Sequence, residues 1–449
     1  MNVNVSTVSS FFKKPLVLIV LIGLIIRFVL IPFVYDFDIY HWGVIVANIN
    51  SGHNLYELDG YYYTPVWGYL VGFTSSISEF FFNGLIGMRI TDMLAIETLQ
   101  HPYHIATITT IAFSFCMKIP MILCDIVVGY LIYWLIKDRT GNEKKATIGF
   151  ALWFLCPIVV YMSGVQAMFD TFSALFLMLT VILLYKNQYF LGGAMFSVAV
   201  LLKFFPGFCI IVLIAYILVK HKEDGLAKKK VLEAAIGTIV MTVILLLPLA
   251  LNGQLGDMLT FITGRTDGSM MILPTMISTV IAVGAVFVFG YMMYHTPTED
   301  ADRKFFVYVF LIITASTLIS ATPQYVIVML PFLIFYILVE EKSYFKCWVI
   351  ISFAAFISAF ALNNFSLLCS LAVYTGIVSP EWVVSSMQFL ETGMGFNIIN
   401  IISSVAAILQ YFGILLILIL FFEKKIGEVH PKLGDIVHKI KYWRVADET

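Results

Sequence analysis

Charge is scarce in this chain and nearly balanced: charged residues make up 12% of it, 27 basic against 28 acidic, where a soluble domain carries about 25%. That shortage excludes an ordinary soluble domain. Cysteine is missing from every polar stretch. Cys116, Cys124, Cys156, Cys209, Cys347 and Cys369 all lie inside apolar runs, which argues against a disulfide framework and leaves the redox compartment open. No small-residue cleavage pattern follows the first apolar run. Lys13 and Lys14 precede about 20 apolar residues ending in PFVYDFD, which reads as an uncleaved first span rather than a signal peptide. There is no convincing internal repeat. From Arg27 to Trp67 no second lysine or arginine occurs, although Asp36 and Asp38 stand there one residue apart.

What is abundant is apolar surface. With 60% hydrophobic residues and a mean hydropathy of +0.94, the chain reads as an integral membrane protein. Its net charge of -1 carries little information, because in a membrane the side on which charge falls is what matters. The stretch 63–78 is short and interrupted by Pro65, Gly68 and Gly72. Were it to cross, KDRTGNEKK at 137–145 would fall outside, against the tendency of lysine and arginine to stay cytoplasmic. Residues 35–104 are therefore expected to form one long first external loop with short interfacial helices. Residues 79–104 fit, mixing FFFNGLIGM with Arg89, Asp92, Glu97 and two histidines.

The same rule places further spans near 105–136, 146–162, 170–185, 189–203, 206–219, 231–252, 273–294, 305–321, 323–339, 347–362 and 397–422. The expected fold is an all-α polytopic bundle of about twelve transmembrane helices with both termini cytoplasmic. Residues 363–396 stay outside, because a crossing near 365–379 would expose the basic tail of Lys424, Lys425, Lys432, Lys439, Lys441 and Arg444. Residues 1–422 then form the membrane domain and 423–449 a cytoplasmic basic tail.

This arrangement puts every basic residue in the tails and cytoplasmic loops except Arg27, Arg89, Lys118, Lys203 and Arg265. A cation in or beside hydrocarbon costs several kcal/mol unless it snorkels or meets an anion, so such residues are functional candidates. Arg27 lies in the outer half of the first span. Lys118 precedes Pro120 in a run too long to be wholly embedded. Lys203 ends a span in LLKFFPGF, where Pro206 breaks the helix, and Arg265 falls in the external loop 253–272. Polar residues gather on the same side: Gln166 and Asp170 in SGVQAMFD, and Thr322, Gln324 and Tyr325 in ATPQY. Cations and carboxylates thus face one external vestibule, which suits a substrate with an anionic phosphate and a neutral polyhydroxyl group.

The ordered motifs resemble the type C glycosyltransferases, multi-span enzymes that use polyprenyl-phosphate sugars and carry a catalytic acidic residue in the first external loop. The likeness is to the mannosyltransferase-like branches. Arg27 followed by DFDIY at 36–40 resembles their opening motif, and SGHNLYELDGYYYTPVW at 51–67 resembles their G-x-N-x-Y segment with its later Y-x-P. KIPMILCD at 118–125, GVQAMFD at 164–170, LLKFFP at 201–206 and TPQYVIVMLPF at 322–332 follow in the expected order. The resemblance covers roughly residues 25–335. No motif matches beyond that, and no large soluble C-terminal domain follows, a departure from the oligosaccharyltransferase branch.

Transfer from a sugar 1-phosphate needs a base for the acceptor hydroxyl, and a carboxylate with an ordinary pKa of about 4 is ionised at neutral pH. Asp36 is the expected base, with Asp38 beside it. The departing polyprenyl phosphate needs fixed positive charge, for which Lys203 comes first and Arg265, Lys118 and Arg27 follow. Tyr40, His41, Tyr63, Gln166, Asp170, Gln324 and Tyr325 are the candidates for sugar or acceptor contact. The resemblance implies an inverting single displacement, a hexose donor with mannose favoured, and a lipid-linked or glycan acceptor.

Each assignment has a plainer rival. Asp36 and Asp38 can cap or solvate a helix start, Lys203 can anchor to head groups, and Arg27 or Lys118 can pair with a carboxylate. Asp125 shares a face with Lys118, seven residues on, but is too far along the helix for a direct bond. His101 and His104 in HPYH have no third ligand beside them, and D-x-D alone does not specify a divalent ion, so no metal and no cofactor is expected. Tyr61, Tyr62 and Tyr63 fit an interfacial aromatic belt as well as sugar stacking. The rival class is a lipid-linked sugar flippase or transporter. Membrane lipids are partners either way, and no nucleic acid is. The expected membrane is the plasma membrane of a prokaryote, which is favoured, or the endoplasmic reticulum if the chain is eukaryotic.

Overall fold

The structure is a computed structural model that describes residues 15–33, 36–57, 61, 63–86, 95–101, 104–264, 273–320, 322–393, 395–423, 426, 428 and 431–442. The chain opens with α1 (Pro15–Leu30), α2 (Asp36–Asn50) and α3 (Pro65–Ile86), then a hairpin of β1 (Ala95–His101) and β2 (His104–Thr109). There follow α4 (Ile111–Thr140), α5 (Glu143–Phe154), α6 (Pro157–Tyr161), α7 (Asp170–Tyr185), α8 (Tyr189–Leu202), α9 (Ile210–Lys220), α10 (Ala227–Leu251), α11 (Leu255–Gly264) and α12 (Leu273–Tyr294). The last are α13 (Ala301–Ser316), α14 (Val326–Val339), α15 (Phe345–Leu362), α16 (Asn364–Thr375), α17 (Pro380–Gln388), α18 (Ile398–Phe421) and α19 (Pro431–Tyr442).

A helix stands at the position of every expected span. Five stretches are long and apolar enough to cross a membrane: Ile111–Thr140, Ala227–Leu251, Thr275–Tyr294, Lys342–Leu362 and Ile398–Phe421; a bent pair, Glu143–Phe154 with Pro157–Gln166, makes a sixth. Others, such as Pro15–Leu30, Asp170–Tyr185 and Tyr189–Leu202, are apolar but shorter. A 14-residue helix reaches only about 21 Å at the helical rise. A count of about twelve crossings therefore rests on these short helices as well as on the long ones.

Two expectations for the first loop are corrected. Pro65 does not interrupt a helix; it starts one, since an N-terminal position has no amide bond to lose, and α3 then runs unbroken through Gly68 and Gly72. A Cβ at Gly68 would enter the space of the Leu55 side-chain methyls and approach the Tyr61 hydroxyl, so the Leu55 side chain packs directly on the helix backbone there. At 95–101 and at 104 the interfacial-helix reading fails: Ala95–His101 and His104–Thr109 pair as antiparallel strands, with Leu99 opposite Ala106 and His101 opposite His104, and 87–94 lie outside the described residues. The β-branched series Ile105, Thr107, Ile108 and Thr109 favours this extended form. It also delays α4 to Ile111, which Thr110 caps by accepting from the Phe113 amide.

The core is centred on α14, in which every residue from Val326 to Ile337 is buried, as expected of a helix surrounded by others. It packs against α4, α5, α7, α13 and α15. The outer surface is apolar: Ile239, Val243, Ile244 and Leu251 on α10 are all exposed, the pattern of a lipid-facing helix. α10 lies against α8 at Gly193 and Gly237, where a Cβ would overlap the carbonyl oxygens of Ala234 and Phe190 respectively. α16 and α17 have 12 and 9 residues, each shorter than a helix that spans a membrane by itself.

Candidate active site

Two helix ends meet at the centre of the site. Between α6 and α7 the chain passes through a π-helical turn, Met162–Gln166, and then through Ala167 in the left-handed region at φ 53°. This reversal sets Asp170 in the first turn of α7, where the helix dipole favours a carboxylate. At the far end of α8, Lys203 leaves the helix in extended backbone ahead of the 3₁₀ turn Phe205–Cys209 that contains Pro206. Lys203 Nζ lies 3.3 Å from Asp170 Oδ1, with side chains 7% and 1% exposed.

Aromatic rings enclose this pair. Lys203 Nζ sits 4.4 Å from the centroid of Phe169, 5.1 Å from Tyr325 and 5.6 Å from Tyr63, a cation–π arrangement in a largely desolvated setting. Phe169 stacks on Trp67 at 4.4 Å and meets Trp42 edge-on. Trp42, on α2, donates from Nε1 to the Ala167 carbonyl at 3.3 Å, so the helix that opens at Asp36 is docked on the turn that carries Asp170. The loop before α3 is stapled to the same place. Tyr56 Oη donates to the Tyr63 carbonyl at 2.8 Å, Tyr61 Oη to that of Thr64 at 2.7 Å, and Thr64 Oγ1 to that of Leu201, two residues before Lys203.

The structure thus brings together Lys203, Asp170, Tyr63 and Tyr325 from four separate segments. His41 lies 5.5 Å from Trp42, ring to ring, Gln324 is half-buried beside Tyr325, and Gln166 is 5% exposed. Asp36 and Asp38 open α2, but their side chains, and that of Tyr40, lie outside the described residues, as does all of Arg265. Phe169, Trp42 and Trp67 were missed in the sequence. Their signal was available as aromatics flanking the motifs already singled out, namely MFD, YHW and TPVW.

Arg27 and Lys118 are placed elsewhere. The Arg27 guanidinium is fully enclosed: Nη2 and Nε reach Asp125 Oδ2 at 2.8 and 3.1 Å, and Nε also donates to Ser163 Oγ at 2.9 Å. Its Nη1 donates to the carbonyls of Phe154 and Gly23, and the Phe154 ring lies 4.1 Å from the guanidinium carbon. Lys118, also fully buried, donates to the carbonyls of Ile31 and Phe33 at 2.7 and 2.6 Å. It closes the C-terminal end of α1, where orphan carbonyls need donors, just ahead of Asp36.

From the Trp67 side of the aromatic cluster a groove of about 660 Å³ runs between α3, α4 and α7. Its walls include Phe73, Ile77, Ile119, Leu123, Val127 and Leu175. The groove meets the aromatic cluster at Trp67, whose ring stacks on Phe169, the ring nearest Lys203 Nζ.

This fold and cluster define a helical membrane protein whose polar centre joins a lipid-facing groove. Residues 97–248, about a third of the chain, match the family model of the dolichyl-phosphate-mannose-protein mannosyltransferases, a match that bears out the resemblance to the type C glycosyltransferases. The matched segment runs from the hairpin to α10 and contains Lys118, Asp125, Gln166, Asp170 and Lys203. No curated protein matches the chain.

Proposed function

We propose that the protein transfers a hexose, with mannose favoured, from a polyprenyl-phosphate sugar to an acceptor hydroxyl on the external or lumenal face, with inversion. The observation that carries this reading is the seat of Lys203. It is a cation 8% exposed, ringed by Phe169, Tyr325 and Tyr63, and Phe169 stacks on Trp67, which lines an apolar groove of about 660 Å³. Asp170 lies 3.3 Å from Lys203 Nζ, and in this reading a phosphate oxygen shares or competes for that ammonium.

In this reading the acceptor oxygen attacks the anomeric carbon while the bond from that carbon to the phosphate oxygen breaks. The bonding pair leaves on the phosphate, whose growing charge Lys203 stabilises through a preset electrostatic contact. The acceptor proton passes to Asp36, at the start of the helix that Trp42 fixes to the Asp170 turn. Tyr63 and Tyr325 supply ring faces for the sugar, and Gln166 and Gln324 supply carboxamides for its hydroxyls. Arg27 and Lys118 act by holding α1 and the segment that leads to Asp36, leaving Lys203 and Arg265 as the phosphate ligands.

The test is incubation of purified protein with radiolabelled polyprenyl-phosphate mannose. Release of polyprenyl phosphate is expected. Movement of intact sugar-lipid across a bilayer without its consumption would identify a flippase instead.

A further inference from the structure

The last helix, α19, is tied to the ends of two spanning helices. Lys441 Nζ lies 3.0 Å from Glu423, just past the end of α18, and 3.7 Å from Glu341, in the turn that leads to α15. His438 also meets Glu423, and Lys346 of α15 donates to the carbonyls of Ile440 and Lys441, where a helix end needs donors. α15 and α18 both belong to stretches long enough to cross a membrane, so α19 is held at the level where their apolar lengths end. That level is the end of the bundle away from Lys203. α14 starts beside Tyr325, whose ring faces Lys203, and finishes at Val339, close to Glu341.

The residues of α19 fall into stripes with the same i, i+3, i+7 spacing, each displaced from the last by one residue, or about 100° around the helix. Gly434, Val437 and Lys441 face the bundle: the first two are buried and the third is half-buried. One step back, Leu433, Ile436 and Ile440 form an apolar stripe that is 49%, 53% and 40% exposed. One step forward, Asp435, His438 and Tyr442 are exposed on the flank opposite that stripe. A helix packed on a protein in water carries polar residues on both free flanks. Here one flank is apolar and the other polar, as in a helix seated in the corner between a bundle and a bilayer. Lys439 is exposed at the water-side edge of the apolar stripe, where its stem can lie along the lipid and its ammonium among head groups.

Charge on the segment is complementary to an anionic surface. From 424 to 444 the sequence holds Lys424, Lys425, Lys432, Lys439, Lys441 and Arg444 against Glu428 and Asp435. A basic cluster of this size directly after a spanning helix attracts anionic lipid head groups. The stripe itself is three side chains long, which is little for a stable protein interface, where each partner buries about 800 Å².

We infer that α19 lies on the membrane surface at the end of the bundle opposite Lys203, with Leu433, Ile436 and Ile440 at the acyl boundary of a leaflet that carries anionic lipid. The inference does not depend on the reaction proposed for the Lys203 centre.

The experiment places a nitroxide on the full-length protein at Ile436→Cys or Asp435→Cys, in nanodiscs of phosphatidylcholine with or without phosphatidylglycerol. All six native cysteines are buried, and both labelled positions are exposed, so a melting temperature near wild type is expected and shows that the labelled protein is folded. Leu433→Cys gives an independent reading of the stripe. With phosphatidylglycerol present, oxygen is expected to relax the label at 436 more than a water-soluble nickel chelate does, and the order should reverse at 435. The oxygen preference at 436 should fall in phosphatidylcholine alone and in about 1 M salt, where the screening length shrinks to about 3 Å. A chelate preference at both 433 and 436 overturns the inference, because the stripe then faces water. Dipolar broadening at 436 overturns it too, since a second copy of the chain then covers the stripe. An oxygen preference that is equal in the two lipids and indifferent to salt overturns the assignment to anionic lipid.

Discussion

A lysine that pairs with a carboxylate and also serves a substrate presents a difficulty at the residue scale, because removing it disturbs two things at once. Lys203→Gln takes the proposed phosphate ligand away and leaves the Asp170 charge buried without its 3.3 Å partner. Breaking one side of a buried pair costs about 3–5 kcal/mol, so the single variant should lose stability as well as turnover. The double variant Lys203→Gln/Asp170→Asn removes both charges and separates the effects. It is expected to recover most of the thermal stability while turnover on saturating donor stays depressed by about 10²–10³-fold, the usual loss of an anion-stabilising group. Recovery of turnover together with stability would reduce Lys203 to a structural partner of Asp170. Asp36→Asn provides the complementary case. It is expected to lower turnover by about 10²–10⁴-fold with expression unchanged, the usual contribution of a general base. Normal turnover in Asp36→Asn with loss in Asp38→Asn would move the base by two residues.

At the scale of elements, α4 and α8 carry cations with different tasks, although in sequence they look alike. Lys118→Met should leave the Ile31 and Phe33 carbonyls without a donor, at about 1–3 kcal/mol for each buried group. Melting temperature should therefore fall, while donor affinity measured on the folded fraction stays near wild type. A selective loss of donor affinity would return Lys118 to the phosphate site. The reason the sequence misplaces Arg27 and Lys118 is distance along the chain. Arg27 meets Asp125 across 98 positions, and Lys118 meets carbonyls 87 and 85 positions earlier, pairings that no local pattern announces. Lys203, Asp170, Tyr63 and Tyr325 were legible because each sits beside a helix break, marked by Pro206, the GVQAM turn, Pro65 and Pro323. The hairpin at 95–109 was not, since its short alternating pattern is diluted by Glu97, Gln100 and two histidines. A tighter case is the α8–α10 contact. Gly237→Leu has no room against the Phe190 carbonyl and is expected to separate the two helices, which a fall in detergent-solubilised melting temperature would reveal.

At the scale of the whole molecule, one side assignment governs everything proposed for the site. The basic residues other than Arg27, Arg89, Lys118, Lys203 and Arg265 carry the expectation that 137–145 and the tail are cytoplasmic and the 51–67 loop external. The structure adds a physical link that makes this a single question rather than many. The 51–67 loop is bonded through Thr64 to Leu201, and Lys203 follows on the same strand of backbone. The side that holds Ser51 therefore holds the Lys203 centre too. All six native cysteines are buried, so a membrane-impermeant thiol reagent starts from a low background. Ser51→Cys and Ile377→Cys, at exposed positions on the proposed outer face, should react in intact cells. Lys144→Cys and Gly225→Cys, exposed on the opposite face, should react only after permeabilisation. Labelling of Lys144→Cys in intact cells would turn the molecule over and move the reaction to the cytoplasmic side. The Lys203 cluster and the groove at Trp67 would survive that result, because they depend on contacts within the chain. The external donor and the lumenal acceptor would not.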